Sequence, residues 1–285
     1  MSTEVYSLTD LEGIASQVRR DIVRMVHKCQ SGHPGGSLGC TDLLVALYFQ
    51  VMNHNNEFCM DGNEEDIFFL SNGHISPVFY SVLARSGYFP ISELSTFRAI
   101  NSRLQGHPAT HEHLPGIRIA SGSLGQGLSV AIGAALAKKL NGDSSTVFVL
   151  MGDGEQQEGQ IWEAAMFAPN NKVDNLIAII DYNGQQIDGP VDQINSLRNL
   201  REKYEAFGWH VLELNDGNNM QQVLDVLGAA KFMLGQGNPI IILMKTEMGA
   251  GVDFMMHSHK WHGVAPNDEQ LATALAQLPE TIGDY

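Results

Sequence analysis

Asp153 and Asn183 have the residue types and the setting of a hard-cation site. Asp153 lies in Gly152-Asp153-Gly154, directly after the apolar run 147–151, and Asn183 closes Asp181-Tyr182-Asn183 after the apolar run 176–181. Flanking glycines let a backbone turn sharply and approach a ligand closely, which leaves Asp153 to project a carboxylate oxygen outward. Asn183 adds a neutral amide oxygen. One carboxylate, one amide oxygen and a backbone carbonyl leave about half of an octahedron open, and Mg²⁺ commonly fills such positions with phosphate oxygens and water. A single carboxylate suffices where the ligand itself brings negative charge. Gly-Asp-Gly alone is ordinary turn chemistry. Its pairing with a second turn, also placed after an apolar run, is what makes it a candidate site.

A second set of reactive residues sits in loops flanked by glycine or proline. His33 lies in Ser31-Gly32-His33-Pro34-Gly35-Gly36, His74 in Asn72-Gly73-His74, and His107 in Gly106-His107-Pro108. His259 and His262 share His259-Lys260-Trp261-His262-Gly263. Imidazoles titrate near neutral pH, so they can donate or accept a proton at a hydroxyl or carbonyl oxygen. For any one of the eleven histidines a surface or structural role is the ordinary expectation. Glu158 and Glu163 follow the Gly-Asp-Gly turn, where acids are favoured by the start of a helix.

These residues need a frame. Short apolar runs at 67–70, 147–151, 176–181, 210–214 and 240–244 are bounded by Gly, Asn, Asp or Pro and predict buried strands. Helical patterns are predicted between them at about 9–28, 41–53, 76–87, 124–140, 157–168, 197–207, 219–234 and 267–278. Thr9 and Glu12 have capping-box spacing, and Thr41-Asp42 is expected to cap the next helix in a similar way. The alternation predicts a doubly wound α/β fold with a mostly parallel sheet, as one domain over 1–285, with an irregular Gly- and His-rich stretch near 101–123. In such sheets ligands bind beyond the carboxyl ends of strands. That is where Asn72-Gly73-His74, Gly152-Asp153-Gly154, Asn183-Gly184 and the segment 249–263 fall.

With 44% hydrophobic residues the chain can bury a full core, and a formal net charge of −15 argues against nucleic acid or an anionic membrane as partner. Three cysteines, Cys29, Cys40 and Cys59, with no Cys-x-x-Cys pair indicate neither a disulfide framework nor a zinc site. Residues 1–10 lack the pattern of a signal peptide, and no apolar run is long enough to span a bilayer. A cytoplasmic protein is expected.

The stretch from Gly152-Asp153-Gly154-Glu155 to Asp181-Tyr182-Asn183 resembles the thiamine-diphosphate fingerprint, with Tyr182 where an Asn often stands. The resemblance extends along the chain. The loops of His33, His74 and His107, Leu124-Gly125-Gln126-Gly127, Gln157-Glu158-Gly159 and 259–263 look like transketolase motifs in transketolase order. The chain is similar to the amino-terminal subunit of a split, two-chain transketolase.

The resemblance implies a set of roles. Asp153, Asn183 and the backbone carbonyl of Gln185 would bind Mg²⁺, with Ca²⁺ or Mn²⁺ able to replace it. Gly152, Gly154, Gly122, Leu124, His74 and Asn183 would line thiamine diphosphate, with Ser123 where many relatives carry Pro. His33 and His107 would face the substrate, and His259 would contact the diphosphate and move protons near the substrate oxygens; His262 is a weaker assignment. Four histidines at such positions make a purely structural explanation poor. Glu158 and Glu163 would lie at a subunit contact. The implied activity is transfer of a two-carbon ketol unit from a ketose, expected to be phosphorylated, to an aldose. It would require self-association and a partner chain that carries the pyrimidine-binding domain and its glutamate. The alternatives are a subunit of a 1-deoxyxylulose-5-phosphate-synthase-like enzyme and a non-catalytic cofactor-binding scaffold. The motifs at Gly106-His107-Pro108 and 121–127 favour transketolase over the first. The retention of Asp153, Asn183 and the histidines favours it over the second.

Overall fold

The computed structural model describes residues 6–285. The first half of the segment 1–10, where a targeting signal would begin, lies outside them. Five parallel strands form the central sheet: β1 (Ile67–Leu70), β2 (Val147–Gly152), β3 (Leu176–Tyr182), β6 (His210–Leu214) and β7 (Ile240–Lys245), in the order β1-β2-β3-β7-β6. Two very short strands, β4 (Gln185–Gln186) and β5 (Gly189–Pro190), make a separate antiparallel hairpin.

Alternate side chains of the central strands serve two different cores, because successive Cβ atoms point to opposite faces. Val147, Val149 and Met151 of β2 and Leu176, Ala178 and Ile180 of β3 pack under α5 (Gln126–Leu140), α6 (Gly159–Asn170) and α8 (Leu200–Phe207). Phe148, Leu150, Ile177 and Ile179 pack on the other face. That face is covered by α1 (Leu8–Cys29), α3 (Thr41–Ala46), α4 (Ser76–Arg85), α9 (Met220–Phe232) and α10 (Asp268–Gln277). Burial on both faces is why these strands are continuous apolar runs rather than alternating ones. The chain passes from β3 over α8 to the edge strand β6, then returns under α9 to β7. Reversing direction along the sheet while keeping a right-handed crossover puts α9 on the opposite face from α8.

The expected strands and long helices are present, with ends shifted by a few residues. The first cap is a correction. Ser7 caps α1 and forms the reciprocal capping box with Asp10, in place of Thr9 and Glu12. Starting earlier, the helix carries the buried stripe Leu11, Ile14, Ala15, Val18 and Ile22 onto the core. The helix expected at 41–53 is α3 followed by a π-turn over Leu47–Val51, and the Gly-rich loop after His33 contains a short helix, α2 (Pro34–Gly39). The second cap is a correction too: α2 runs almost directly into α3, so Thr41 is already helical and its hydroxyl donates to the Ser37 carbonyl instead of capping. A further short helix, α7 (Val191–Asn195), follows the hairpin. No helix among the described residues is long and apolar enough to cross a membrane.

Candidate cofactor and substrate site

The carboxyl ends of β2 and β3 bring Asp153 and Asn183 together. Asp153 ties the two turns: its Oδ1 accepts from the Gly154 N–H at 2.7 Å and its Oδ2 from the Gly184 N–H at 2.6 Å. Asn183 Nδ2 donates to Asp181 Oδ2 at 2.8 Å, and Asn183 Oδ1 accepts from the Gln185 N–H at 2.9 Å. The other oxygen of Asp181 accepts from the Thr246 hydroxyl. Asp153 and Asp181 are almost fully buried, at 1% and 2% exposure. Burial, followed by repulsion from Asp181, pushes the Asp153 carboxyl up to about 8. Burial likewise raises Asp181.

Among the described residues neither carboxylate has a cationic side chain as an ion-pair partner. Two neighbouring buried acids without a counter-charge suit a divalent ion, which would favour their ionised forms. No group of three His, Cys, Asp or Glu side chains gathers as a metal cage among the described residues. An ion here would have to draw the rest of its shell from backbone, water and ligand, the mode typical of Mg²⁺.

Glu155 locks the loops around this turn. It is 2% exposed. Its Oε2 accepts from the Gly152 N–H at 3.0 Å, and its Oε1 from the Gly125 N–H at 2.8 Å and from the Ser71 hydroxyl. The Ser71 hydroxyl oxygen in turn accepts from the Gly127 N–H at 3.0 Å. A second relay enters from α8. The Tyr204 hydroxyl donates to Gln156 Oε1 at 2.6 Å, and Gln156 Nε2 donates to the Gly152 carbonyl at 3.0 Å.

The histidines converge. Ring centroids of His33 lie 5.1 Å from His74, 6.2 Å from His107 and 5.4 Å from His262, and His74 is 5.0 Å from His262. Burial, then the neighbouring His262, Arg98 and His107, hold His33 down at about 4. Burial also lowers His74, His107 and His262. All four are therefore neutral at pH 7. The buried Nδ1 atoms of His33 and His262 have no partner within the chain, which leaves them available to a ligand. Gly122 lies against this cluster with φ of +138°, and a Cβ there would stand 3.1 Å from the His107 ring. Both the conformation and the close approach require glycine. Leu124 follows on the same loop, half-buried.

Set against known proteins, residues 12–279 match the family model described as "Transketolase, thiamine diphosphate binding domain". The chain belongs to the transketolase family. A protein from Clostridium sp. (strain MSTE9), "6-deoxy-6-sulfo-D-fructose transketolase subunit SqwG", is 40% identical over 94% of this chain and 96% of its own length. A subunit of the apulose-4-phosphate transketolase of Phocaeicola vulgatus is 37% identical over 95% of each chain. Solved transketolases superpose closely. That of Leishmania mexicana has a TM-score of 0.88 at 29% identity over 99% of this chain and 43% of its own. That of Campylobacter jejuni has a TM-score of 0.86 at 34% identity over 94% of this chain and 42% of its own. The chain thus spans less than half of these solved transketolases and nearly all of the two relatives named as subunits.

Most of the residues singled out in the sequence come together in the fold, along with bracing residues that no motif marked. Asp153, Asn183, Gly154 and Gln185 meet at one pair of turns, and His33, His74, His107 and Gly122 at one cluster. The last loop differs from expectation. His262 is the residue whose ring joins the cluster, whereas His259 opens the short turn His259–Trp261, outside these ring contacts but near enough to depress His262 electrostatically. The bracing roles of Asp181, Glu155 and Gln156 are not readable from any motif. Their one sequence signal is polarity beside a buried strand end, since polar residues in such positions need partners.

Proposed function

We propose that this chain is the thiamine-diphosphate-binding subunit of a two-chain transketolase. It transfers a two-carbon ketol unit from a phosphorylated ketose to an aldose, together with a partner chain that carries the pyrimidine-binding domain. The observation carrying this reading is the likeness to relatives named as transketolase subunits. The chain matches relatives named as subunits over nearly their whole extent, but under half of the solved transketolases. On this reading residues 1–285 form one diphosphate-binding domain.

Asp153, Asn183 and the Gln185 carbonyl are proposed to hold Mg²⁺ against the diphosphate. The buried, uncompensated acids support that choice. Gly152, Gly154, Gly122, Leu124 and His74 would line the cofactor, with His259 toward the diphosphate. Thiamine diphosphate, when bound, supplies a nucleophilic carbon able to cleave and re-form the bond beside a ketose carbonyl. His33 and His107, neutral and partly free of protein partners, would donate hydrogen bonds to the substrate carbonyl oxygen and take up a hydroxyl proton. His262 would complete that wall. The names of the relatives, a sulfosugar in one and a sugar 4-phosphate in another, indicate that similar subunits serve different ketoses.

The test is a titration. Ketol transfer from a ketose phosphate to an aldose phosphate is measured as a carboxy-terminal transketolase-like subunit is added to this chain. Activity should be absent at first and reach a plateau near a one-to-one ratio. Strong turnover by this chain alone would refute the two-chain reading.

A further inference from the structure

Asn72, two residues past β1, carries a side chain that the fold does not use. It is 1% exposed, and neither its Oδ1 nor its Nδ2 has a hydrogen-bond partner within the chain. Buried side-chain amides are nearly always bonded, and an unmade bond on a buried polar atom is costly. The loop itself does not need this amide. The Asn72 carbonyl accepts from the Ile75 N–H at 3.1 Å, the Gly73 N–H donates to the Ser71 carbonyl at 2.9 Å, and Ser71 is held by Glu155.

The neighbours show what the amide faces. β1 and β2 pair in register, Leu70 beside Leu150, which brings Asn72 alongside Gly152. A Cβ built on Gly152 would stand 3.9 Å from Asn72 Cβ. The wall opposite Asn72 is therefore the Gly152-Asp153-Gly154 turn. A second unpartnered group lies close by. The buried Ser121 hydroxyl is bonded to nothing, and it would stand 2.5 Å from a Cβ on Gly73. Two idle donors on adjoining loops point to a ligand with acceptor oxygens.

We propose that Asn72 is a further cofactor-binding residue, with Nδ2 donating a hydrogen bond to a diphosphate oxygen. This rests on the reading above that the Gly152-Asp153-Gly154 turn faces the diphosphate. A thiazolium ring has no hydrogen-bond acceptor to offer an amide, whereas an ionised diphosphate is all acceptor. A neutral donor also suits this cleft, because it attracts an anion without pairing with Asp153 or Asp181.

The test uses the full chain with two probes, pyrophosphate and thiamine diphosphate, each with Mg²⁺, by calorimetry. Melting of the ligand-free protein is measured alongside. Asn72→Ala should weaken both probes by about tenfold or more, the loss of one charge-assisted hydrogen bond. Asn72→Ser, which keeps a shorter donor, should lose less. Neither variant should melt lower than wild type without ligand, because the amide makes no bond in the fold. Unchanged affinity for both probes overturns the proposal and leaves the cofactor cleft standing. So does a loss confined to thiamine diphosphate, which would place the amide elsewhere on the cofactor. A lower ligand-free melting temperature also overturns it, by showing that the amide serves the fold. If the wild-type chain binds neither probe, the proposal fails together with the site reading beneath it.

Discussion

Asp153 carries two jobs, and a substitution separates them. Its oxygens tie Gly154 to Gly184, and on the proposed reading they also hold the metal ion. Asp153→Ala removes an acid that burial and Asp181 push up to about 8, which offsets part of the cost of freeing the Gly154 and Gly184 N–H groups, so the metal-free chain should be less stable but still folded. Retention of thiamine diphosphate after gel filtration with Mg²⁺ should be abolished, while circular dichroism is unchanged. Full retention would remove Asp153 from the site. The histidine cluster makes a prediction about acid. The folded-state value of His33, about 4, lies below its ordinary 6.5, so between these values the unfolded chain binds the extra proton. Its contribution to stability is complete above about pH 6.5 and is lost as pH falls toward 4. Asp153, raised from 3.8 to about 8, has the opposite sign throughout that range. The proper readout is therefore the difference between wild type and His33→Gln in urea melts. Wild type should lose stability relative to the variant on acidification, and a constant difference from pH 7 to 4.5 would exclude the effect. Asp153, Asn183 and three of the clustered histidines were legible in the sequence because each stands in its own short glycine- or proline-marked motif. Asn72 was legible only as part of a motif. That its amide is idle depends on neighbours from β2 and from the loop before Gly122.

Elements show the same division between local and distant information. The strands were legible because a doubly covered parallel strand is a continuous apolar run. The π-turn at Leu47–Val51, the hairpin of β4 and β5, and helix α7 were not, being too short for a period to show. Glu155 is the clearest case. It joins Ser71 and Gly125, from two separate loops, to Gly152 at the end of β2. Glu155→Ala should free two backbone N–H groups and the Ser71 hydroxyl at once, costing about 2–4 kcal/mol and loosening the approach to α5. Hydrogen exchange should quicken at Gly125 and Gly127 more than in β3. Uniform exchange across the sheet would mean that the lock does not hold these loops. Tyr204, fully buried and bonded to Gln156, braces the same turn from α8 and is a milder second probe.

At the scale of the whole molecule, the surface of α6 divides into an inside and an outside. Ile161 is buried and Trp162 partly so, while Met166 and Phe167 are 60% and 48% exposed. Beside them runs a groove of about 410 Å³ lined by Trp162, Lys203, Ala206 and Phe207. The apolar stripe is therefore only half spent on the core, and its outer half is available for assembly. We expect two copies of this chain at the centre of a heterotetramer flanked by two partner chains. Met166→Lys with Phe167→Glu should lower the mass seen by light scattering without lowering the melting temperature of the ligand-free chain by more than a few degrees. An unchanged mass would put the contact on another face. The sheet's margins constrain how such assembly can occur. At one edge β6 carries Glu213, which is paired with Arg201, and at the other the short strand β1 is preceded by Glu65 and Asp66, paired with Arg118 and Lys231. Charges at an unpaired strand discourage edge-to-edge addition of another strand. Crowding of newly made copies should thus favour helix-face docking over fibrous cross-β stacking, and the same guarded edges would spare the unassembled chain from aggregating.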